Sequence, residues 1–129
     1  MGANKKTVFL LEDDEAFLIV FARWLGMAGY EVVSAQNTEE AEKLLETIDP
    51  PSLFWLDYYL EEDNTGMDFF HKLQEAPRFK DVPVIIVSIT SDIERLREFK
   101  KEGVTEVFSK VIANRDTIMG GVKEIIEGK

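Results

Sequence analysis

The chain has 129 residues, of which 45% are hydrophobic and 31% are charged, the balance of a single globular domain. Its net charge of −10 argues against a nucleic-acid-binding surface, which would need a basic face to meet phosphates. It has no cysteine, which excludes disulfides and thiolate metal sites and suits a reducing cytosol, and no apolar run reaches membrane-spanning length. We therefore predict one cytoplasmic domain over residues 1–129, with residues 1–5 as a disordered or cloning-derived tail.

Apolar runs of strand length alternate five times with segments of helical periodicity. The predicted strands are Thr7 to Glu12, Tyr30 to Ala35, Ser52 to Asp57, Val84 to Ser88 and Thr105 to Lys110. The predicted helices are Glu15 to Ala28, Thr38 to Glu46, a third ending near Glu75, Asp92 to Glu102 and Arg115 to Glu127. Strands three and four are continuously apolar, as in strands covered by helices on both faces. The pattern predicts an α/β fold of the (βα)5 type, with a doubly wound, five-stranded parallel sheet.

The first helix carries more apolar residues than one buried face needs. The residues predicted to face the core are Phe17, Val20, Phe21, Trp24, Leu25 and Ala28. Leu18, Ile19 and Ala22 fall outside this face, where charged residues are expected. Scattered exposed apolar residues are ordinary, but three on one helix favour a contact patch for a partner.

Chemically capable side chains follow the predicted strands where each strand ends. Glu12 and Asp13 end strand one, Asp57 ends strand three, Ser88 ends strand four and Lys110 ends strand five. The carboxyl ends of parallel strands meet at one edge of the sheet, which is where open α/β sheets bind ligands. Three carboxylates brought together would resist ionisation unless a cation such as Mg²⁺, which prefers oxygen ligands, lay among them.

The acidic pair in LLEDD, the aspartate of LFWLD, the serine of PVIIVS and the lysine of EVFSK occur on the appropriate strands and in order. On these motifs, the chain resembles the receiver domain of two-component response regulators over nearly all of its length. The resemblance implies the flavodoxin-like strand order 2-1-3-4-5.

The resemblance also implies a role for each motif. Asp57 would accept a phosphoryl group from a phosphohistidine of a histidine kinase or a histidine phosphotransfer protein. Mg²⁺ would be held by Glu12, Asp13, Asp57 and the backbone carbonyl of Tyr59. Lys110 would neutralise phosphoryl oxygens, and Ser88 would donate a hydrogen bond to the phosphorylated state. The domain would then be a signalling switch and not an enzyme, apart from its self-catalysed phosphoryl transfer and hydrolysis.

The chain departs from the family pattern around this set of residues. Glu61 replaces an expected proline in a longer loop, and Ile89 replaces a small residue after Ser88. Val107 replaces the aromatic residue that usually couples to the switch hydroxyl, and Val111 replaces a proline after Lys110. The two positions that flank the path of water to the phosphoryl group, and so set its lifetime in the family, are Tyr59 and Thr90. Because neither is an acid or an amide that would position water, we predict a long-lived phosphoprotein.

Three alternatives remain at the level of the sequence. A pseudo-receiver would bind partners without being phosphorylated, in keeping with Ile89 and Val107. A flavin-binding electron carrier of the same fold would need a hydroxyl- and glycine-rich loop after strand one, which this sequence lacks. An aspartate-nucleophile phosphatase would need an acid at position 59, where the chain has Tyr59. A stand-alone receiver and one cut from a longer protein are both compatible with the sequence, as are a monomer and a homodimer.

Overall fold

A computed structural model describes residues 5–60, 65–90 and 92–128. The strands are β1 (Thr7–Leu11), β2 (Glu31–Ala35), β3 (Leu53–Asp57), β4 (Val84–Ser88) and β5 (Glu106–Ser109). The helices are α1 (Glu15–Met27), α2 (Thr38–Leu45), α3 (Gly66–Gln74), α4 (Ile93–Lys101) and α5 (Arg115–Glu127). The alternating (βα)5 pattern is confirmed. Residues 1–4 of the predicted tail and the departure at Glu61 lie outside the described residues.

The five strands form one parallel sheet in the order β2-β1-β3-β4-β5, as the resemblance implied. Strand β3 lies at its centre, and the register pairs Leu11 with Leu56 and Asp57 with Val87. Farther along, Ser88 pairs with Ser109. The carboxyl ends of β1, β3, β4 and β5 therefore meet at one edge.

Successive residues of each central strand enter separate hydrophobic cores. In β1, Phe9 and Leu11 belong to one core and Val8 and Leu10 to the other. Every residue of β3 and β4 is buried. This two-sided burial explains their continuously apolar sequence, because the pleat turns alternate side chains to opposite faces.

Each helix begins at a polar residue whose side chain accepts a hydrogen bond from the backbone of the first turn. The N-caps are Asp14, Asn37, Thr65, Asp92 and Asn114. For α1, the Asp14 carboxylate accepts from the N–H of Phe17 at 3.0 Å. Asp14 therefore fixes the start of α1 directly after the acidic pair, as expected for an N-cap.

The face that α1 turns to the sheet differs from the predicted one. Leu18 and Ala22 are half-buried and pack against the core containing Phe21 and Leu25. Phe17, Ile19 and Val20 are 37%, 50% and 40% exposed, and Ala28 is exposed as well. The predicted core positions of Phe17, Val20 and Ala28 are therefore wrong, as is the placement of Leu18 and Ala22 outside the core face. Adjacent rows of α1 are both apolar, so helical periodicity alone could not choose between them.

Among the described helices, none combines the length and the apolar character needed to cross a bilayer.

A close backbone approach joins α3 to the end of β3. The N–H of Gly66 donates to the carbonyl of Tyr58 at 2.7 Å. A Cβ at residue 66 would overlap the backbone carbonyl of Asp57. Only glycine therefore lets α3 begin this close to the strand.

We expect Gly66→Ala to lower the free energy of unfolding by about 1–3 kcal/mol, because the added methyl group must push α3 away from Asp57. The matched control is Gly120→Ala, since nothing lies within 4 Å of a Cβ at this position inside α5. This control should gain about 0.5–1 kcal/mol. Urea unfolding measures both changes, and similar effects of the two substitutions would contradict the close approach.

Candidate functional site

Five of the predicted site residues meet at the carboxyl edge of the sheet. Glu12, Asp13, Asp57, Tyr59 and Lys110 line a cavity of about 210 Å³. The other lining residues are Asp14, Phe17 and Ile89. The cavity lies at the end of the central strand β3, where an open α/β sheet binds ligands.

The Lys110 ammonium contacts two buried carboxyl groups. Its Nζ lies 2.8 Å from Oε1 of Glu12 and 3.2 Å from Oδ1 of Asp57. The Lys110 side chain is 6% exposed and that of Glu12 is fully buried. Oε1 of Glu12 has no partner in hydrogen-bond geometry, so its contact with Lys110 is an ion pair alone. The other oxygen, Oε2, accepts from the N–H of Asp14 at 3.2 Å.

One ammonium for two buried acids leaves an excess of negative charge. Burial raises the pKa of Asp57 from 3.8 to about 9, and the neighbouring Glu12 carboxylate acts in the same direction. The Lys110 ammonium lowers this pKa but only partly offsets the two effects. In the metal-free protein, the Asp57 carboxyl group therefore resists losing its proton.

The acidic residues have a geometry that suits a divalent cation. Carboxylate oxygens of Glu12, Asp13 and Asp57 lie within 4.8 Å of one another. Asp13 is exposed, whereas the other two are buried. Mg²⁺ takes oxygen ligands, keeps several waters and is usually held by one or two carboxylates. A cation here would offset the burial and the Glu12 charge that together raise the pKa of Asp57, so the donor set fits Mg²⁺.

Aromatic rings form the wall of the site beside Lys110. Its Nζ lies 4.3 Å from the centroid of the Phe17 ring and 5.9 Å from that of Phe21. The sequence assigned Phe17 to the core and missed this contact. The one available signal was an aromatic residue in the first turn of the helix that follows the acidic pair.

Ser88 and Thr90 are placed differently from the residues that line the cavity. Ser88 is fully buried, and its Oγ accepts from the N–H of Thr90 at 3.2 Å. Thr90 Oγ1 in turn accepts from the N–H of Asp92 at 3.2 Å. In the described part of the chain, neither Ser88 nor Thr90 lines the cavity. Both hydroxyls instead accept from backbone N–H groups, those of Thr90 and Asp92.

The turn after Lys110 is set by backbone and serine contacts. The N–H of Lys110 donates to the carbonyl of Ser88 at 2.7 Å. Ser109 Oγ accepts from the N–H groups of Val111 and Ile112 at 3.1 and 3.2 Å. The described residues contain no cis peptide bond, so the chain runs through Val111 in the ordinary trans form.

The two tyrosines after Asp57 have different surroundings. Tyr59 is 43% exposed and lines the cavity. Tyr58 stacks on Phe99 of α4 with ring centroids 4.5 Å apart, and its hydroxyl accepts from Arg95 at 3.0 Å. Val107, at the position of the usual aromatic residue, is half-buried. Tyr58 therefore connects the end of β3 to α4, a contact that the sequence did not reveal.

The comparisons with known proteins agree on one family. The family described as "Response regulator receiver domain" matches residues 8–122. The probable transcriptional regulator ycf27 of Cyanophora paradoxa is 29% identical over 93 residues, which cover 72% of this chain and 37% of that protein. The phosphate regulon transcriptional regulatory protein PhoB of Pseudomonas aeruginosa is 25% identical over 114 residues, 88% of this chain and 48% of PhoB. The chain thus spans less than half the length of these two relatives.

A solved structure supports the fold. The crystal structure of a CheY-like response regulator receiver domain protein from Methanospirillum hungatei has a TM-score of 0.82 at 22% identity. The match covers 97% of this chain and 96% of that one.

The raised pKa of Asp57 predicts how stability changes with pH when no metal is bound. Between about pH 4 and pH 9 the folded protein keeps a proton on Asp57 that the unfolded chain releases, so stability falls as pH rises through this window. The slope is at most about 1.4 kcal/mol per pH unit for one proton. Asp57→Asn removes this loss. In chelator-treated samples we expect the variant to be the more stable at pH 8 and to match the parent near pH 4. If the free energy of unfolding changed equally with pH in both proteins, the raised pKa of Asp57 would be contradicted.

Proposed function

Since this chain belongs to the response regulator receiver domains, we propose that it accepts a phosphoryl group on Asp57 from a phosphohistidine partner in a Mg²⁺-dependent reaction. One observation carries the proposal. Asp57 ends the central strand within 3.2 Å of the Lys110 ammonium, and its carboxylate oxygens lie within 4.8 Å of those of Glu12 and Asp13. A nucleophilic carboxylate, a cation site and a fixed positive charge are the elements that phosphoryl transfer requires.

The proposed reaction forms one bond and breaks another. An Asp57 carboxylate oxygen attacks phosphorus, the phosphorus–nitrogen bond of the donor breaks, and the histidine nitrogen leaves with the bonding electron pair. Lys110 neutralises charge on the transferred oxygens, as an ammonium fixed by burial can do without reorganising. Mg²⁺, when bound, would neutralise the remaining oxygens. Glu12, Asp13, Asp57 and the carbonyl of Tyr59 would hold it.

The product lifetime is proposed to depend on the residues around the cavity. The Tyr59 ring and Ile89 line the cavity and can shield an acyl phosphate from water. Thr90 supplies neither an acid nor an amide to position that water. The Ser88 Oγ accepts from the N–H of Thr90 and keeps its own hydrogen, which it would donate to a phosphorylated Asp57, in the role of a switch.

The proposed partner is a histidine kinase or a histidine phosphotransfer protein. A docking surface on α1 is supported by the exposure of Phe17, Ile19 and Val20, of which Phe17 also lines the cavity. Of the predicted patch, Ile19 keeps this role, because Leu18 and Ala22 pack against the core. We propose that the domain acts in the cytoplasm as a signalling switch that catalyses only its own phosphoryl transfer and hydrolysis, and that it is otherwise not an enzyme. We also propose that it can signal by forming a homodimer.

The competing proposal is a pseudo-receiver that binds partners without phosphorylation. Ile89, which is 58% exposed and lines the cavity, favours it, because its side chain can crowd a phosphate. Lys110 and the three carboxylates argue against it. A domain without phosphoryl chemistry would gain nothing from a buried excess of negative charge.

The decisive experiment incubates the protein with Mg²⁺ and acetyl phosphate and measures its intact mass. We expect one added phosphoryl group in the parent and none in Asp57→Asn or in the presence of a chelator, because the nucleophile or the cation is then missing. Asp81→Asn, which changes an exposed acid, is the matched control and should be labelled like the parent. An unlabelled parent would favour the pseudo-receiver, and undiminished labelling of Asp57→Asn would place the acceptor elsewhere.

A second prediction concerns lifetime. Tyr59→Asn should speed the loss of phosphate at least several-fold, since an amide can position water and no ring then covers the site. Tyr59→Phe keeps the ring and should decay like the parent. Mass spectrometry after removal of the donor follows the decay, and equal rates in all three proteins would exclude a shield.

A third prediction separates docking from chemistry. Ile19→Glu should slow transfer from a phosphorylated partner by weakening apolar contact, yet leave labelling by acetyl phosphate unchanged. Met27→Glu changes a 76% exposed residue at the other end of α1 and serves as the matched control. The labelling rates with the phosphorylated partner and with acetyl phosphate are compared. If Ile19→Glu slowed labelling equally with both donors, the substitution would have damaged the fold.

A further inference from the structure

Lys110 contacts an aromatic face as well as two carboxylates. Its Nζ lies 4.3 Å from the Phe17 centroid and 5.9 Å from the Phe21 centroid. A cation within about 6 Å of a ring centroid is attracted by the negative face of the ring. The ammonium is thus held by Glu12, by Asp57 and by this aromatic pair.

The ring of Phe17 is itself held in place. It stacks on Phe21 with centroids 5.4 Å apart, and Phe21 contacts Trp55 at 4.8 Å. Phe21 is 2% exposed, whereas Phe17 is 37% exposed and lines the cavity. Phe17 therefore leaves part of its apolar surface in water while it covers Lys110.

We propose that Phe17 is a positioning residue that keeps the Lys110 ammonium at the cavity while the carboxylates bind other groups. The inference rests on the proposed function, in which Glu12 and Asp57 become cation ligands and Asp57 also takes the phosphoryl group. Both carboxyl groups that contact Lys110 then also bind the metal ion, which competes with the ammonium. The Phe17 ring carries no net charge and offers no ligand to a hard metal ion, so its attraction for Lys110 persists.

The first test is the rate of labelling by acetyl phosphate, which needs no docking partner. Phe17→Leu keeps an apolar side chain but removes the ring, and we expect it to slow labelling about 3- to 30-fold, the range of a cation–π contact. Phe17→Tyr should keep the parent rate. Trp24→Leu is the matched control, because Trp24 also lies on α1 and contacts Phe21 at 5.2 Å without being among the rings that face Lys110. It should be labelled like the parent.

A double-substitution cycle separates positioning from a general loss of structure. In a Lys110→Met background, Phe17→Leu should cause no further slowing, because the cation that it positions is absent. An equal effect in both backgrounds would show that Phe17 acts without Lys110.

A second readout does not depend on labelling. The ring current of Phe17 should shift the ε-methylene protons of Lys110 upfield, in the metal-free protein and at saturating Mg²⁺, and Phe17→Leu should abolish most of that shift. An unlabelled parent would contradict the proposed function and leave these proton shifts to decide the role of Phe17. A labelled parent whose rate and proton shifts are unchanged by Phe17→Leu would overturn the inference, as would an upfield shift that disappears when Mg²⁺ binds.

Discussion

Two carboxyl groups and one ammonium are buried together at the carboxyl edge of the sheet. Glu12 is fully buried, Asp57 is 3% exposed and the Lys110 side chain is 6% exposed. Burying a charge is costly unless an opposite charge lies close, and here the charges do not balance. The raised pKa of Asp57 is the direct result. A site with this excess of negative charge favours the binding of positively charged groups.

The architecture serves to hold these groups against their mutual repulsion. Glu12, Asp57 and Lys110 come from the ends of three strands, each anchored in the parallel sheet. Gly66 lets α3 begin directly against the backbone of Asp57, and Asp14 fixes the start of α1 beside Glu12. Side chains on such rigid supports cannot move apart, so the metal-free site relieves their repulsion by keeping a proton on Asp57.

The sequence predicted the parts of this arrangement that depend on pattern. Continuous burial of β3 and β4 is visible as unbroken apolar runs, and a parallel sheet brings the strand ends together whatever their separation in sequence. Contacts between elements were less accessible. The rotation of α1 was assigned wrongly because two of its rows are apolar, which also hid Phe17 from the candidate site. The link from Tyr58 to Phe99 depends on how α4 packs, and the orientation of Ser88 depends on the local turn, and neither leaves a periodic signal.

The position of Lys110 also bears on how the edge of the sheet opens. Strand β5 has four residues and, among the described strands, lies at the edge of the sheet next to β4, so by itself it would be among the first segments to open locally. Its detachment would carry Lys110 away and leave Glu12 and Asp57 buried without a cation, a loss on the order of 3–5 kcal/mol for a broken buried pair. Lys110 thereby ties the last strand to the first, which β5 does not touch in the sheet. We therefore expect amide hydrogens of this short edge to exchange more slowly than its length alone would give, since its opening must also break the contacts of Lys110 with the centre of the sheet.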